Sequence, residues 1–256
     1  NPATKFPASD GGFCCDQRLV RSHASPNLSV WLLQYWYSGT TQTGRHRVAI
    51  ARNRDDLKNS SYYFYDLTPQ MFGFAPGLWF DFPDLACSHG FLYGSAKVYR
   101  GSDNANMGSV LWRISLAQLD AGGNGGIGFY TNAQLGSELY RLTQLAQDTM
   151  YAAADWSTTA LRFYWWPDNG NLSFENKNIA TVSFASASAP GPDGRDWAGF
   201  CDHRILGAYF YNGEVGFLHS SAPVAGRPRA FVRASIFSGV SRNLLSEQDI
   251  WSNDFA

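Results

Sequence analysis

The stretch Gly12-Phe13-Cys14-Cys15-Asp16-Gln17-Arg18-Leu19-Val20 returns later in the chain, with one cysteine fewer, as Gly199-Phe200-Cys201-Asp202-His203-Arg204-Ile205-Leu206. Two weaker copies lie between these, at Pro83-Asp84-Leu85-Ala86 and Thr143-Gln144-Leu145-Ala146. When Arg18, Asp84, Gln144 and Arg204 are aligned, the spacings are 66, 60 and 60 residues. Self-similarity at a near-constant period is the signature of a repeat architecture, so the chain is predicted to contain four similar units.

Each copy introduces the same order of strands. A short apolar strand leads through a turn into a longer aromatic strand, and a third strand follows. The turns lie at residues 24–27, 89–90, 148–149 and 212–213, and the last is Asn-Gly, the strongest two-residue hairpin signal. A fourth strand is predicted in three copies, at residues 62–65, 127–130 and 180–184. Four antiparallel strands per repeat are typical of a β-propeller blade.

The sequence therefore predicts an all-β protein, a β-propeller of four-stranded antiparallel blades in which four repeats are legible. We expect a single propeller domain over residues 1–256, with blades at 12–68, 78–131, 139–185 and 197–256. An aligned β-sandwich is the alternative fold, but its strands would not recur at this spacing.

The last residues of the chain have two interpretations. Residues 245–249 are predicted to be helical, and the segment around them is either the fourth strand of the last blade, which closes a four-bladed ring, or the entry to a fifth blade. The abrupt ending favours the second interpretation, in which further chains complete a larger ring.

Composition limits the classes of partner. Aromatic residues make up 16% of the chain and charged residues also 16%, which favours strands over a helical bundle. The 20 basic and 21 acidic residues are mixed along the chain, so no nucleic-acid footprint is visible. The longest apolar stretch, residues 30–37, is too short to span a bilayer.

The four cysteines, Cys14, Cys15, Cys87 and Cys201, allow three pairings. Either Cys14 and Cys15 bond to each other, or one of them reaches Cys201, or all four are reduced. No Cys-x-x-Cys or Cys/His ligand spacing occurs, so no zinc site is predicted. The Trp- and Tyr-rich composition favours an extracellular or periplasmic location for a secreted protein.

Four segments resemble secreted bacterial β-propeller proteins: residues 10–17 (Asp-Gly-Gly-Phe-Cys-Cys-Asp-Gln), 31–35 (Trp-Leu-Leu-Gln-Tyr), 81–86 (Asp-Phe-Pro-Asp-Leu-Ala) and 191–195 (Gly-Pro-Asp-Gly-Arg). The neighbourhood is that of the six- and seven-bladed sialidase-like propellers, many of unassigned function. The resemblance covers most of the chain and implies the propeller fold. The sialidase motif Ser-x-Asp-x-Gly-x-Thr-Trp is absent, as is an assignable arginine triad, so the resemblance does not imply sialidase activity.

Propellers usually act at one mouth of the central channel, where loops of several blades converge. The candidate ligand-binding residues begin the inner strands: Asp16, Arg18, Asp84, Gln144, Asp202, His203 and Arg204. In one interpretation they converge on a sugar or a carboxylate, because the planar guanidinium of arginine binds both carboxylate oxygens. In the other, aspartate and arginine pair within or between blades and satisfy buried strand ends.

The sequence patterns for metal ligands and for sugar-binding aromatic residues are weaker than those above. No cofactor is predicted, with Ca²⁺ as the alternative at two oxygen-rich stretches, Asp103-Asn104-Ala105-Asn106 and Asp168-Asn169-Gly170-Asn171. The same residue types dominate plain hairpin turns. Trp156, Trp165 and Trp197 are candidates for stacking on sugars if they are exposed.

Two functions follow. The first is an extracellular propeller that binds a glycan or a protein partner through its channel-mouth loops, alone or as a subunit of a larger assembly. The second is a secreted carbohydrate-active enzyme that uses the channel-mouth Asp/Arg/His cluster. A glycoside hydrolase would need paired carboxylates there, and a polysaccharide lyase would need a base such as His203 or a Tyr and a neutraliser such as Arg204. No complete catalytic motif occurs in the sequence, which favours binding.

Overall fold

The computed structural model describes residues 5–6, 9–25, 27–123, 126–131, 140–185, 188, 193–196 and 204–251. The chain divides into two compact units, Asn1–Leu139 and Tyr140–Ala256. Each unit contains two four-stranded antiparallel sheets whose strands follow one another in chain order. The fold prediction is thereby confirmed: the protein is all-β, built of four four-stranded antiparallel blades of the β-propeller type.

The first unit holds the first two sheets. The strands of its first sheet are β1 (Arg18–Arg21), β2 (Ser29–Gln34), β3 (His46–Ala51) and β4 (Tyr63–Leu67). Those of its second sheet are β5 (Leu78–Cys87), β6 (Phe91–Arg100), β7 (Asn106–Ser115) and β8 (Ile127–Thr131). Helix α1 (Arg54–Asn59) connects β3 to β4, helix α2 (Leu116–Asp120) follows β7, and a 3-10 helix (Pro69–Phe72) precedes β5.

The second unit holds the other two sheets. The strands of its first sheet are β9 (Arg141–Leu142), β10 (Thr149–Ser157), β11 (Ala160–Pro167) and β12 (Ser173–Asn178). Those of its second sheet are β13 (Ile205–Tyr211), β14 (Glu214–Ser221), β15 (Phe231–Ser238) and β16 (Leu244–Ile250).

The core of the first unit lies between its two sheets. Alternate residues of a strand share one face, so Val30 and Leu32 of β2 turn inward together and pack with Phe80 and Trp112 of the second sheet. Gly94 makes this packing possible, because a Cβ at that position would lie 2.1 Å from an atom of the Trp112 ring.

Aromatic rings fill the core of the second unit. The Phe163 ring lies 5.5 Å from the Phe217 ring and 5.4 Å from the Phe237 ring, and the first of these pairs is nearly perpendicular. Edge-to-face pairs of this kind stabilise a core beyond their buried area. The high aromatic content of the sequence is therefore accounted for in part by packing between sheets.

Two strand predictions are wrong. Residues 180–184 are not in a strand, and the fourth strand of the third sheet is Ser173–Asn178 instead. Residues 245–249 are not helical, because they belong to β16, which pairs with β15. The segment is thus the fourth strand of the last sheet, as the first interpretation of the tail had it. The single-domain prediction and its blade boundaries remain predictions.

Two further findings concern cysteines and membranes. Cys14 and Cys15 form a disulfide with each other, and Cys87 is a buried free thiol; Cys201 lies outside the described residues. In the part of the chain that the structure describes, no helix is both long enough and apolar enough to cross a membrane.

Candidate functional site

Two of the predicted ligand-binding residues meet in the first unit. Arg18 at the start of β1 donates from Nε to the carbonyl oxygen of Pro83 at 3.0 Å and lies 3.5 Å from Asp84 Oδ1. The Asp84 side chain is almost fully buried, whereas that of Arg18 is half-exposed. The contact joins neighbouring sheets and satisfies both charged groups, which is the structural role that the second interpretation assigns to them.

A bulge in β5 positions Asp84 for this contact. The register between β5 and β6 shifts between Asp81 and Asp84, and Phe82 inside the bulge has a φ of 50°, in the left-handed region. Asp81 Oδ1 holds the bulge by accepting the Phe82 N–H at 2.8 Å. Bulges commonly re-aim a side chain in this way. Asp16, the third predicted residue of this unit, is exposed just before β1.

The remaining predicted residues belong to the second unit. Gln144 is exposed and bonds through its main chain to β13, with its N–H on the Ala208 oxygen at 3.1 Å. Arg204 directly precedes β13, and Asp202 and His203 lie outside the described residues. The residue that repeats the contact of Arg18 is Arg141, whose Nε donates to the Ile205 oxygen at 3.3 Å.

A cleft opens at the other end of β1. It has a volume of about 380 Å³ and is lined by Arg21, Asn27, Ser29, Arg54 and Leu57, which we call the arginine cleft. Arg21 ends β1 and is the cross-strand partner of Ser29 in β2, while Arg54 and Leu57 come from α1. The cleft is thus formed by one end of the first sheet and the connection between β3 and β4.

A main-chain hydrogen bond explains why this end of the sheet is open. In the other three sheets, the residue after the third strand donates its N–H to the residue before the second strand. These bonds are Leu116 to Gly90 at 2.9 Å, Asp168 to Asp148 at 2.9 Å and Gly239 to Gly213 at 2.8 Å. In the first sheet, the equivalent N–H of Arg52 is donated to Asp56 Oδ2 at 3.0 Å. The main-chain hydrogen bonds between β2 and β3 therefore stop one bond earlier than those between the second and third strands of the other sheets.

Helix α1 holds the second arginine of the cleft. Asn53 is its N-cap, and the side-chain oxygen accepts the N–H groups of Asp55 and Asp56, each at 2.9 Å. Capping by asparagine satisfies donors that a short helix would otherwise leave open. Arg54 and Leu57 lie three residues apart and hence on neighbouring positions of one helix face.

The described lining of the arginine cleft is positively charged. Arg21 and Arg54 are both exposed, and the five described residues that line the cleft include no carboxylate. Among the described residues, the Arg54 side chain has no hydrogen bond or ion pair, unlike Arg52, which pairs with Asp56 at 3.8 Å. Two guanidinium groups beside an amide and a hydroxyl make a site for an anionic, hydroxylated ligand.

The tryptophans predicted to bind sugars are covered by arginine. Trp156 is half-exposed, but the Arg162 guanidinium lies 3.3 Å from the centroid of its ring. Arg242 lies 4.4 Å from the centroid of the Trp165 ring. Trp197 lies outside the described residues.

The calcium candidates form turns. Asp103 pairs with Arg100 at 3.0 Å and accepts the Ala105 N–H, while Asp168 donates its N–H across to the neighbouring turn. In the described ranges, no three His, Cys, Asp or Glu side chains cluster as metal ligands do. Calcium binding stays untested.

Both described buried histidines lie inside the units. In the second unit, His219 Nδ1 lies 2.8 Å from Asp155 Oδ1, and both side chains are nearly inaccessible to solvent. In the first unit, His46 is fully buried and its ring nitrogens have no hydrogen-bond partner among the described residues. A substrate in solution reaches neither imidazole, and His203, the base that the enzyme interpretation names, lies outside the described residues.

No protein-family model matches the sequence, and no curated protein sequence matches it either. Among solved structures, the chain is similar to the acylaminoacyl peptidase of Pyrococcus horikoshii, with 11% identity, a TM-score of 0.29, and coverage of 94% of this chain and 46% of that one. An acylaminoacyl peptidase in complex with Z-Gly-Gly-Phe-chloromethyl ketone matches with the same identity and TM-score, over 92% of this chain and 52% of that one. The chain thus spans about half the length of these structures. Likeness at this level carries no argument about activity, and the sialidase-like resemblance stays a prediction.

Proposed function

We propose that the protein is a non-catalytic, secreted binding protein whose first unit takes an acidic glycan in the arginine cleft. The observation that carries the proposal is the pair of exposed arginines, Arg21 and Arg54, in a cleft whose described lining residues include no carboxylate. Carboxylate or sulfate groups of a uronate or sulfated sugar would meet the guanidinium groups in charge-assisted hydrogen bonds.

The remaining lining residues support a sugar rather than a bare anion. Asn27 and Ser29 offer donors and acceptors for hydroxyl groups, and Leu57 offers apolar surface to a sugar ring. A volume of about 380 Å³ is in the range of small-ligand pockets, which favours a short oligosaccharide segment over a broad protein partner.

The experiment is a titration of the purified protein with three oligosaccharides of equal length: an oligouronide, a sulfated oligosaccharide and a neutral glucan. We expect binding of the two acidic ligands and a decrease in affinity with rising salt, because screening weakens exposed charge pairs. Arg54→Ala is expected to lower the affinity about tenfold or more, since a charge-assisted hydrogen bond is worth about 1.5–3 kcal/mol.

Lys58→Ala is the matched control. It removes the same charge from the same helix, and Lys58 is exposed but does not line the cleft. We expect its affinity to stay within about twofold of the unmodified protein, because an exposed charge that makes no direct contact with the ligand is screened by solvent and salt. Equal losses in the two variants, or equal affinity for the neutral glucan, would contradict the proposal.

A further inference from the structure

The disulfide between Cys14 and Cys15 has two unlike ends. Cys15 is exposed, whereas Cys14 is buried with 8% of its surface accessible. The disulfide lies a few residues before β1, in the segment that leads into the strand with Arg18 and Arg21. A reagent in water therefore meets Cys15 first, while Cys14 faces the protein.

Cys14 is the end of a buried polar chain that reaches the second sheet. The Cys14 N–H is donated to the main-chain carbonyl oxygen of Gln34 at 2.9 Å, and Gln34 Nε2 lies 4.0 Å from Cys14 Sγ. The same Nε2 donates to Asp81 Oδ1 at 2.9 Å. Asp81 in turn holds the bulge that brings Pro83 and Asp84 to Arg18. A continuous series of contacts thus links Cys14 to the bulge of β5.

We propose that Cys14–Cys15 is a redox-active site, opened reversibly by a dithiol reductant while the protein stays folded. The thiolate of the reductant attacks Cys15 Sγ, the bond between the two protein sulfurs breaks, and Cys14 Sγ leaves as a thiolate that takes up a proton. The second thiolate of the reductant then attacks the reductant's other sulfur, which is bonded to Cys15 in the mixed disulfide. This releases Cys15 as a thiolate, which is also protonated.

The balance of this reaction is two electrons and two protons. The protein disulfide becomes two thiols, and the dithiol becomes a cyclic disulfide. Gln34 Nε2 lies 4.0 Å from Cys14 Sγ, so a hydrogen-bond donor stands beside the sulfur that bears negative charge when the bond breaks. A dithiol is the expected reductant because its second thiol resolves the mixed disulfide within one molecule.

Cys87 is an internal reporter of unfolding. It is a buried free thiol of β5, and burial raises its pKa to about 12, so little thiolate forms at neutral pH in the folded protein. Labelling of Cys87 therefore indicates that the first unit has opened, whereas labelling of Cys15 without Cys87 indicates reaction in the native state.

The experiment treats the full chain, without denaturant, with increasing dithiothreitol, then with iodoacetamide, and measures the tryptic peptides by mass spectrometry. We expect a label on the exposed Cys15, in the peptide of residues 6–18, at concentrations that leave Cys87 unlabelled. Removal of the reductant and mild oxidation with diamide should abolish the labelling. Glutathione at equal thiol concentration should reduce a smaller fraction.

Three results would overturn the proposal. The first is labelling of Cys15 without any reductant, because the disulfide would then be absent. The second is labelling only at reductant concentrations that also expose Cys87. The third is equal reduction by glutathione and dithiothreitol, which would overturn the assignment to dithiols. Cys14→Ser serves as the reference for the open state and should carry one label, on Cys15, without any reductant.

Discussion

The first sheet of the first unit and the first sheet of the second unit end differently at the turn between their first two strands. In the second unit, Asp168 donates its N–H to the main-chain carbonyl oxygen of Asp148. This bond joins the turn after β11 to the turn before β10. In the first unit, Arg52 donates to Asp56 within its own connection, and a cleft remains beside α1. One redirected hydrogen bond thus separates a closed blade end from an open one.

The two ends also differ in charge. The open end presents Arg21 and Arg54, whereas the closed end presents the exposed Asp148 and the neighbouring Asp168. A common strand plan thus leaves both the shape and the charge of a blade end to its connecting segments.

A second difference lies inside the units, in the two buried histidines. His219 has a carboxylate partner in Asp155, while His46 lies 5.0 Å from the Phe80 ring beside its cross-strand neighbours Gln34 and Leu67, none of which titrates. Burial lowers the pKa of His46 to about 3, so this imidazole stays neutral near pH 7. The first unit thus contains a buried polar group without compensation, and the second contains a compensated pair.

The largest effect on stability is expected from breaking the pair in the second unit. Asp155→Ala leaves His219 buried without its partner and should lower the free energy of unfolding by about 3 kcal/mol, measured by urea denaturation. Asp120→Ala, at an exposed position, is the control and should change it by less than about 0.5 kcal/mol. A similar small change in both variants would mean that the buried pair does not hold the sheets together.

A smaller effect is expected from the acid dependence of His46. Its folded pKa of about 3 lies below the ordinary 6.5, so between these values the unfolded chain binds a proton that the folded protein does not. Stability from this group is therefore fully present above pH 6.5 and falls by about 1.4 kcal/mol per unit as the pH decreases. Between pH 6.5 and 5, the free energy of unfolding of His46→Leu should decrease by about 2 kcal/mol less than that of the unmodified protein. Parallel pH profiles of the two proteins would contradict this expectation.

The smallest effect is expected from His46→Leu at pH 7, and it is opposite in sign to the loss expected from His219→Leu. His46→Leu removes ring nitrogens that have no partner among the described residues and should stabilise the protein by about 1 kcal/mol. His219→Leu removes the imidazole partner of the buried Asp155 and should destabilise the protein. Thermal and urea unfolding of both variants measure the contrast, and destabilisation of equal size in both would show that His46 is compensated as well.

The sequence predicted the repeating strands well because period-two alternation and turn residues specify them locally. It failed at β16, where the polar run around Glu247 and Asp249 has the composition of a helix. Cross-strand contacts decide the structure there: Ser235 donates to Glu247 at 3.1 Å, and Arg233 Nε donates to Asp249 at 2.7 Å. Such pairs stabilise a strand only after the sheet has formed.

The candidate site was harder to predict than the fold. Arg18 and Asp84, which the repeat pattern indicated, contact each other in the structure, and their role as ligand-binding residues stays a prediction. The arginine cleft depends on whether Arg52 bonds across the sheet or to Asp56, a choice that no repeat pattern encodes. The one local signal was Asn53 before two acidic residues, which is a helix N-terminus signature.

Hydrogen–deuterium exchange with and without a saturating acidic oligosaccharide tests the location of the binding site most directly. We predict slower exchange of the amides in residues 27–34 and 52–60, because these segments form the arginine cleft, and unchanged exchange in residues 145–149 and 167–172 at the closed end of the third sheet. Protection of the third sheet's turns without protection of the first sheet's segments, or no protection in either, would contradict the account.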